Sequence, residues 1–298
     1  MILVVGGTGL LGQALVTRLL ARGERVRVMT RTPARHVALW SSHVDVVGGD
    51  LRLPNSVNAA IDGCSTVVAA AHGFGAPDVS PATVDHAGNI TLVDAARRVN
   101  ADIVLMSIVG ASAESAIDLF RAKAAAEAYL RAGTVPWSIV RCTAFMETWA
   151  GILGAPLQQG GNALVFGKGQ NPINFVSVVD VAELLARAVC DRSLRGETLE
   201  FGGSTDHTLS SFAARLSSAM HSARAPRHIP RPALRAMSLV LRPFKPDVAR
   251  QVRAALVMDT TDMRFDARAV RARFPEVANT PLSDVVATWA TRSPSGRA

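Results

Sequence analysis

With a single tyrosine, three lysines and three cysteines in 298 residues, the sequence closes off several kinds of chemistry at the outset. Cys64, Cys142 and Cys190 are far apart, odd in number and without CxxC or Cys/His ligand spacing. Neither a disulfide framework nor a zinc site is therefore expected, and no metal of another kind. The three read as buried small apolar residues. No uncharged apolar run reaches membrane-spanning length, and Met1-Ile2-Leu3-Val4-Val5-Gly6 is not a basic leader, so the chain reads as cytoplasmic. No solenoid period is visible. A hydrolase triad drawn from Ser107, His72 and an aspartate is set aside because there is no GxSxG elbow.

What is present is a 49% hydrophobic chain with 23 glycines, enough for one large domain and a smaller lobe. Short β-branched runs near 2–5, 25–30, 43–47, 65–70, 101–107 and 136–141 alternate with helical stretches at 9–22, 54–62, 84–99 and 115–132. That rhythm predicts an α/β fold with a Rossmann-type, doubly wound parallel sheet over 1–145. Beyond Arg141 it gives way to a Gly-rich stretch from Gly151 to Gly169, a helix at 179–191, a strand near 197–201 and proline-broken helices from 208. Residues 146–292 are expected to form a smaller, mostly helical C-terminal substrate lobe, with 173–201 packing back on the main sheet and 293–298 a disordered tail.

Gly6-Gly7-Thr8-Gly9-Leu10-Leu11-Gly12 joins the first strand to the first helix. The spaced glycines permit a tight turn, close approach of a pyrophosphate to free N–H groups at the positive helix end, and close helix–sheet packing. The second strand ends Thr30-Arg31 where an NAD site would place an acidic residue for the adenine ribose. A guanidinium there suits a 2′-phosphate, with Arg35 assisting, so NADP(H) is preferred and NAD(H) less expected; a merely solvated arginine is the rival reading. Asp50 is placed to accept from an adenine amino group with Leu51 covering the ring, or is an ordinary turn aspartate. Ala70, Ala71 and His72 end the fourth strand where a dinucleotide crosses the sheet. His72 is a proton donor or a plain loop histidine. Ser107 ends the fifth, bonding a substrate carbonyl or ribose, or capping the strand.

These segments, with Met106-Ser107-Ile108-Val109-Gly110-Ala111, Phe120-Arg121-Ala122-Lys123, Arg141-Cys142-Thr143-Ala144-Phe145 and Phe175-Val176-Ser177-Val178-Val179-Asp180-Val181-Ala182, resemble the atypical short-chain dehydrogenase/reductase superfamily, in its NmrA-like and isoflavone-reductase-like branch. The resemblance covers about two-thirds of the chain. The usual relay of that superfamily, a tyrosine with a lysine four residues later, cannot form: Tyr129 has Gly133 four places on, and Leu119 stands four places before Lys123. The resemblance instead implies that Lys123 sits near a nicotinamide without the tyrosine. Where plain positive charge suffices, this chain uses arginine, so its three lysines stand out. A solvated helix charge is the alternative for Lys123, and Lys168 reads as a loop charge. The resemblance also implies that Thr143 and Phe145 lie against the cofactor, and Phe145, Met146 and Trp149 line a substrate pocket; Cys142 stands where the family commonly has proline.

The resemblance points to an NADPH-dependent oxidoreductase acting on an apolar carbonyl, enone or quinone-like small molecule, with Lys123, Ser107 and His72 as catalytic candidates. A second expectation is an NmrA-like regulator that senses NADP and acts through a protein partner without turnover. Arg224 to Arg253 holds eight cations against Asp247 alone, most of the formal +8 charge. That stretch admits an anionic lipid or nucleic-acid surface. It lacks an aromatic stacking series, so no nucleic acid is expected. Peripheral membrane contact by 224–253 is also the lesser expectation, since burying Ala233 to Arg242 against the main lobe or a second subunit is the commoner use of such a segment. The oligomeric state is left open.

Overall fold

The computed structural model describes residues 1–40, 43–75 and 77–291, so the expected tail at 293–298 lies outside the described residues. Strands β1 (Ile2–Val5), β2 (Val26–Thr30), β3 (Val44–Gly48), β4 (Thr66–Ala69), β5 (Asp102–Ile108) and β6 (Trp137–Cys142) alternate with helices α1 (Leu10–Ala21), α2 (Pro33–His36), α3 (Pro54–Ile61), α4 (Ala87–Val99) and α5 (Asp118–Ala132). The strands are Val/Ile/Leu-rich and do not alternate in polarity, because a parallel sheet covered by helices buries both faces; β1 and β4 are buried at every residue. Strand β7 (Ala144–Phe145), helix α6 (Met146–Gly154), strands β8 (Leu164–Phe166) and β9 (Ile173–Val176), helix α7 (Val178–Cys190) and strand β10 (Thr198–Phe201) follow. The chain ends through β11 (Asp206–His207), α8 (Leu209–Ala219), β12 (Arg227–Ile229), α9 (Arg231–Val240), α10 (Pro246–Met258), α11 (Arg268–Arg273) and α12 (Leu282–Thr291).

The chain divides into two units, one of Met1–Cys142 with Val181–Glu200 and one of Thr143–Asp180 with Phe201–Ala298. In the first, the sheet runs β10-β6-β5-β4-β1-β2-β3, parallel at every pair from β3 to β6. Strand order reverses between β1 and β4, the point where open α/β sheets bind ligands. Leu3, Val57, Ile61, Val67, Leu92, Ile103, Leu105 and Leu130, none more than 1–2% exposed, make the core. The segment that returns to this sheet is narrower than 173–201. Strand β9 pairs with β7 and β11 instead, and 181–200 rejoins through α7 and β10. Arg195 Nε to Asp102 Oδ2 at 2.9 Å and the Ser138 hydroxyl to Leu194 O at 2.8 Å hold that return in place.

The second unit has its own core, in which Trp149 meets Phe166 and Phe175 edge-on and Phe175 meets Phe212 the same way. The stretch from Gly151 to Gly169 is not an open loop. Its first part belongs to α6, where Gly154 lies under the Trp289 ring: a Cβ there would sit 2.3 Å from that ring. Its last part is β8, paired in parallel with β12. Asp259, 3% exposed, accepts from the N–H groups of Lys168 at 3.0 Å and Gly169 at 2.8 Å and from Arg231 Nε at 2.6 Å. The Lys168 side chain stays exposed. Cys64 and Cys142 are buried as expected, whereas Cys190 is exposed at the end of α7, its thiol 3.8 Å from Glu24 Oε1.

Candidate functional site

The glycine turn is built from contacts that exclude side chains. Gly6 takes φ +90°, and a Cβ there would lie 2.6 Å from Ala71 N and 2.7 Å from the Ala70 carbonyl carbon, so β1 and β4 can deliver both segments to the switch point only with glycine. A Cβ on Gly12 would fall 2.1 Å from Gly6 O, which fixes how closely α1 packs under the turn. Gly9 differs. Its Cβ would meet only Gly6 O, at 3.5 Å, and Gly9 is exposed. Helix α1 starts at Leu10 with no side-chain cap and no acidic residue in its first turn, leaving N–H groups and the positive helix end for an anion. This open cradle fits a dinucleotide pyrophosphate. Leu10 is exposed, while Leu11 packs inward.

At the carboxyl ends of β2 and β3, Arg31 is ion-paired with Asp78. Arg35 is exposed on α2. Asp50, expected to face an adenine amino group, is instead gripped by Arg52, whose Nη2 lies 2.5 Å from Asp50 Oδ2 and whose N–H and Nε reach Oδ1 at 2.9 and 3.0 Å. Hydrogen bonds from that guanidinium hold the Asp50 carboxyl below its usual range. Leu51, expected to cover the ring, is 5% exposed and belongs to the core, because α4 crosses above it at Gly88.

Lys123 is buried on α5, and its ammonium lies 2.9 Å from Asp85 Oδ1. Asp85 is fully buried in a π-helical turn, Ala82–His86, that leads into α4, and its second oxygen accepts from Gly73 N–H at 2.8 Å. One carboxylate therefore ties the loop beyond β4 to α5, and sequence reasoning missed it. The signal was there: Asp85, Asn89, Leu92 and Ala96 share one helical stripe, and a carboxylate on a buried stripe must be paired.

His72 follows β4 and is open to solvent, yet desolvation by the surrounding chain pushes its pKa below 6.5, Asp85 pulling it up and Lys123 pushing it down. Water at the ring limits that depression by restoring part of the hydration of the imidazolium. The Phe74 N–H donates to His72 Nδ1 at 3.3 Å, so the neutral ring carries its proton on Nε2.

Ser107, expected at the substrate, is 3% exposed and donates to Glu127 Oε1 at 2.5 Å. Its proton is thus committed to a buried carboxylate, because Glu127 shares the inward stripe of α5 with Phe120, Lys123 and Leu130. Glu127 also receives Arg141 Nη2 at 2.7 Å and Arg131 Nη1 at 2.9 Å, and Arg141 reaches on to Glu200 at 2.9 Å. Burial pushes the Glu127 carboxyl up, but Arg141, Ser107 and Arg131 together bring it below its ordinary value.

The remaining expected residues open the second unit. The Thr143 hydroxyl donates to Asn174 Oδ1 at 3.0 Å, and Phe145 is half-buried. Met146 and Trp149 pack into the second core, though Met146 also borders a cavity of about 180 Å³ with His207, Arg215 and Asn279.

The chain matches the model of a family described as NAD(P)H-binding over residues 6–192. It is 27% identical over 205 residues, 68% of its own length and 62% of the other's, to the photosystem II assembly factor Ycf39 of Synechocystis sp., so the match spans about three-fifths of that protein. It is 25% identical over 191 residues, 63% of either length, to an NAD(P)H azoreductase of Xenophilus azovorans. An NADPH-dependent quinone oxidoreductase from Escherichia coli, crystallised with NADPH, shares the fold at TM-score 0.77 and 19% identity, covering 97% of this chain and 99% of that one. The switch-point cradle and these matches agree: the chain belongs to the NAD(P)H-binding family, on a Rossmann-type α/β fold.

Proposed function

We propose that the protein is an NADPH-dependent oxidoreductase that reduces an apolar carbonyl, enone or quinone-like small molecule without a tyrosine–lysine relay. The observation that carries this reading is the buried Lys123–Asp85 pair at 2.9 Å, set beside the solvent-open His72 beyond β4. A structural ion pair at this depth is replaceable by apolar residues, whereas a fixed ammonium next to a loop histidine is a device for orienting hydroxyls and handling protons. A nicotinamide, when bound, supplies the hydride.

The chain's own residues do the rest. Asp85 positions Lys123, whose remaining N–H groups are free to orient a ribose or substrate oxygen. His72 offers its Nε2–H as a hydrogen bond to the substrate oxygen, and the proton that the reduced product takes up comes from water at this solvent-open position, since a neutral ring that gave up Nε2–H would be left as imidazolate. Ser107 becomes a tether of β5 through Glu127 and leaves the catalytic set. Gly6, Thr8, Gly9, Leu10, Leu11 and Gly12 cradle the pyrophosphate beside Ala70 and Ala71. Arg31 and Arg35 receive a 2′-phosphate, for which Arg31 exchanges its Asp78 partner. Thr143, Phe145, Met146 and Trp149 belong to the second unit, and a role for them at the nicotinamide or the substrate rests on the family resemblance alone.

The likeness to the assembly factor supports a second reading, an NADP-binding protein that acts on a protein partner without turnover. The test is NADPH binding by calorimetry, followed by loss of nicotinamide absorbance with a panel of quinones, enones, azo compounds and aldehydes. Turnover that is lost in Lys123→Ala, with binding retained, is the expected result. Tight binding with no turnover on any compound moves the assignment to the second reading, and absence of binding refutes both.

A further inference from the structure

The region where α9 runs into α10 departs from the rest of the second unit in two ways. Phe244 is 81% exposed, Leu239 70% and Val240 65%, with Met237 at 36%; these four make the largest group of exposed large hydrophobics close in sequence among the described residues, the next being the pair Val37 at 60% and Leu39 at 48%. Around them Arg235, Arg242 and Lys245 are exposed, and their side chains make no hydrogen bond or ion pair among the described residues. Most arginines of this chain are engaged, as Arg18, Arg27, Arg141, Arg195 and Arg264 show. Three unpaired cations within eleven residues are therefore a local exception.

The segment is also firmly presented. Arg231 anchors the start of α9 to Asp259, and Leu234 is fully buried on its inner side. At the far end Leu241 O accepts from Phe244 N–H at 3.1 Å and from Lys245 N–H at 2.7 Å, closing a turn bounded by Pro243 and Pro246. Arg235 and Leu239 share one outward stripe of α9 and Ala236 and Val240 the next, and Arg242 follows in the turn beyond the helix. The tip thus offers an aliphatic and aromatic ridge with cations along it.

From this geometry we infer that residues 235–245 form a docking surface for an anionic lipid bilayer. The long basic side chains lay their stems on apolar surface and reach headgroup phosphates, while Leu239, Val240 and Phe244 enter the acyl boundary. The charge balance selects this occupant. A second copy meeting the same face about a two-fold axis would set Arg235, Arg242 and Lys245 against themselves, with only Asp247 of opposite sign nearby. Nucleic acid would satisfy the cations but leave three aliphatic side chains without a partner. The inference is independent of the proposed enzymatic reading.

The test is flotation of the full chain with vesicles of phosphatidylcholine alone or mixed with phosphatidylglycerol, at low and high salt. The protein is expected to float with the anionic vesicles at low salt and to stay behind with neutral ones. Replacing Arg235, Arg242 and Lys245 together by Gln is expected to weaken binding on the order of 100-fold, roughly fivefold for each charge. Leu239→Ser with Phe244→Ser is expected to abolish the salt-resistant remainder, and Phe244→Trp to show a blue-shifted emission on anionic vesicles. All these positions are exposed, so the variants are expected to melt with the parent. Failure of the parent to float at low salt overturns the inference, as does flotation unchanged in both sets of variants. A concentration-dependent dimer that Phe244→Ser dissolves would overturn it in favour of a second copy.

Discussion

Removing the Lys123 ammonium tests the central pair most directly. In Lys123→Met the fully buried Asp85 carboxylate keeps its Gly73 N–H but loses its counter-charge, and leaving one member of a buried pair alone costs about 3–5 kcal/mol. For a unit of the size of the first one, at about 2–4 °C per kcal/mol, the melting temperature should fall by roughly 6–20 °C. Asp85→Asn alone should also destabilise, because it strands the ammonium. The double change Lys123→Met with Asp85→Asn leaves no buried charge, keeps an acceptor for Gly73, and should recover most of the loss. The assay is thermal melting followed by circular dichroism on the four proteins. A Lys123→Met protein that melts with the parent, or a double variant whose loss equals the sum of the single losses, would refute the pairing.

Three further outcomes follow from the same geometry. Gly9→Ala should fold normally, since its Cβ meets only Gly6 O at 3.5 Å, yet lose dinucleotide affinity, while Gly12→Ala, 2.1 Å from Gly6 O, should fail to fold stably; melting and calorimetry separate the two, and equal behaviour would contradict the cradle. Arg31→Ala should weaken NADPH binding by about 10- to 100-fold, as expected for a lost charge-assisted contact of roughly 1.5–3 kcal/mol, with NADH little changed; an equal loss for both would exclude Arg31 from 2′-phosphate recognition. Glu127 has a folded pKa below its unfolded value, so its stabilisation is complete above the unfolded pKa and is lost as pH falls through the folded one. Glu127→Gln should therefore be less stable than the parent at pH 7, with the difference narrowing in acid, and a pH-independent gap would show that the carboxylate's charge is not what matters.

Much of the first unit was legible because its local and global signals coincide: β-branched runs become strands buried on both faces, and Gly6, Gly9 and Gly12 take up the turn their spacing predicts. The second unit was less so. Helix α6 contains Gly151 and Gly154, residues that discourage helix on propensity alone, and it forms because Gly154 makes room for Trp289. Strands β8 and β12 have three residues each and pair across some sixty positions of sequence, too short for a period to show. In the candidate site, Lys123 was singled out by the family resemblance and by the scarcity of lysine, but its partner Asp85 and the Glu127 cluster needed the observation that charges lie on the buried stripes at the start of α4 and along α5. For Ser107 the end of a strand was legible, and of its two readings the structural one has the support of the Glu127 carboxylate, which the sequence did not reveal.

The discontinuity of the first unit bears on how the chain is assembled. Residues 181–200 reach their sheet only after residues 143–180 have been made, and closing a loop of that length costs roughly 3 kcal/mol of chain entropy. During synthesis β6 must wait as an open edge, with Arg141 holding Glu127 but not yet Glu200. Joining β10 late, through ion pairs at Asp102 and Glu200, makes the completion of the first unit a docking event that salt should slow, and places that unit's vulnerable interval for misassembly between the completion of β6 and the arrival of β10.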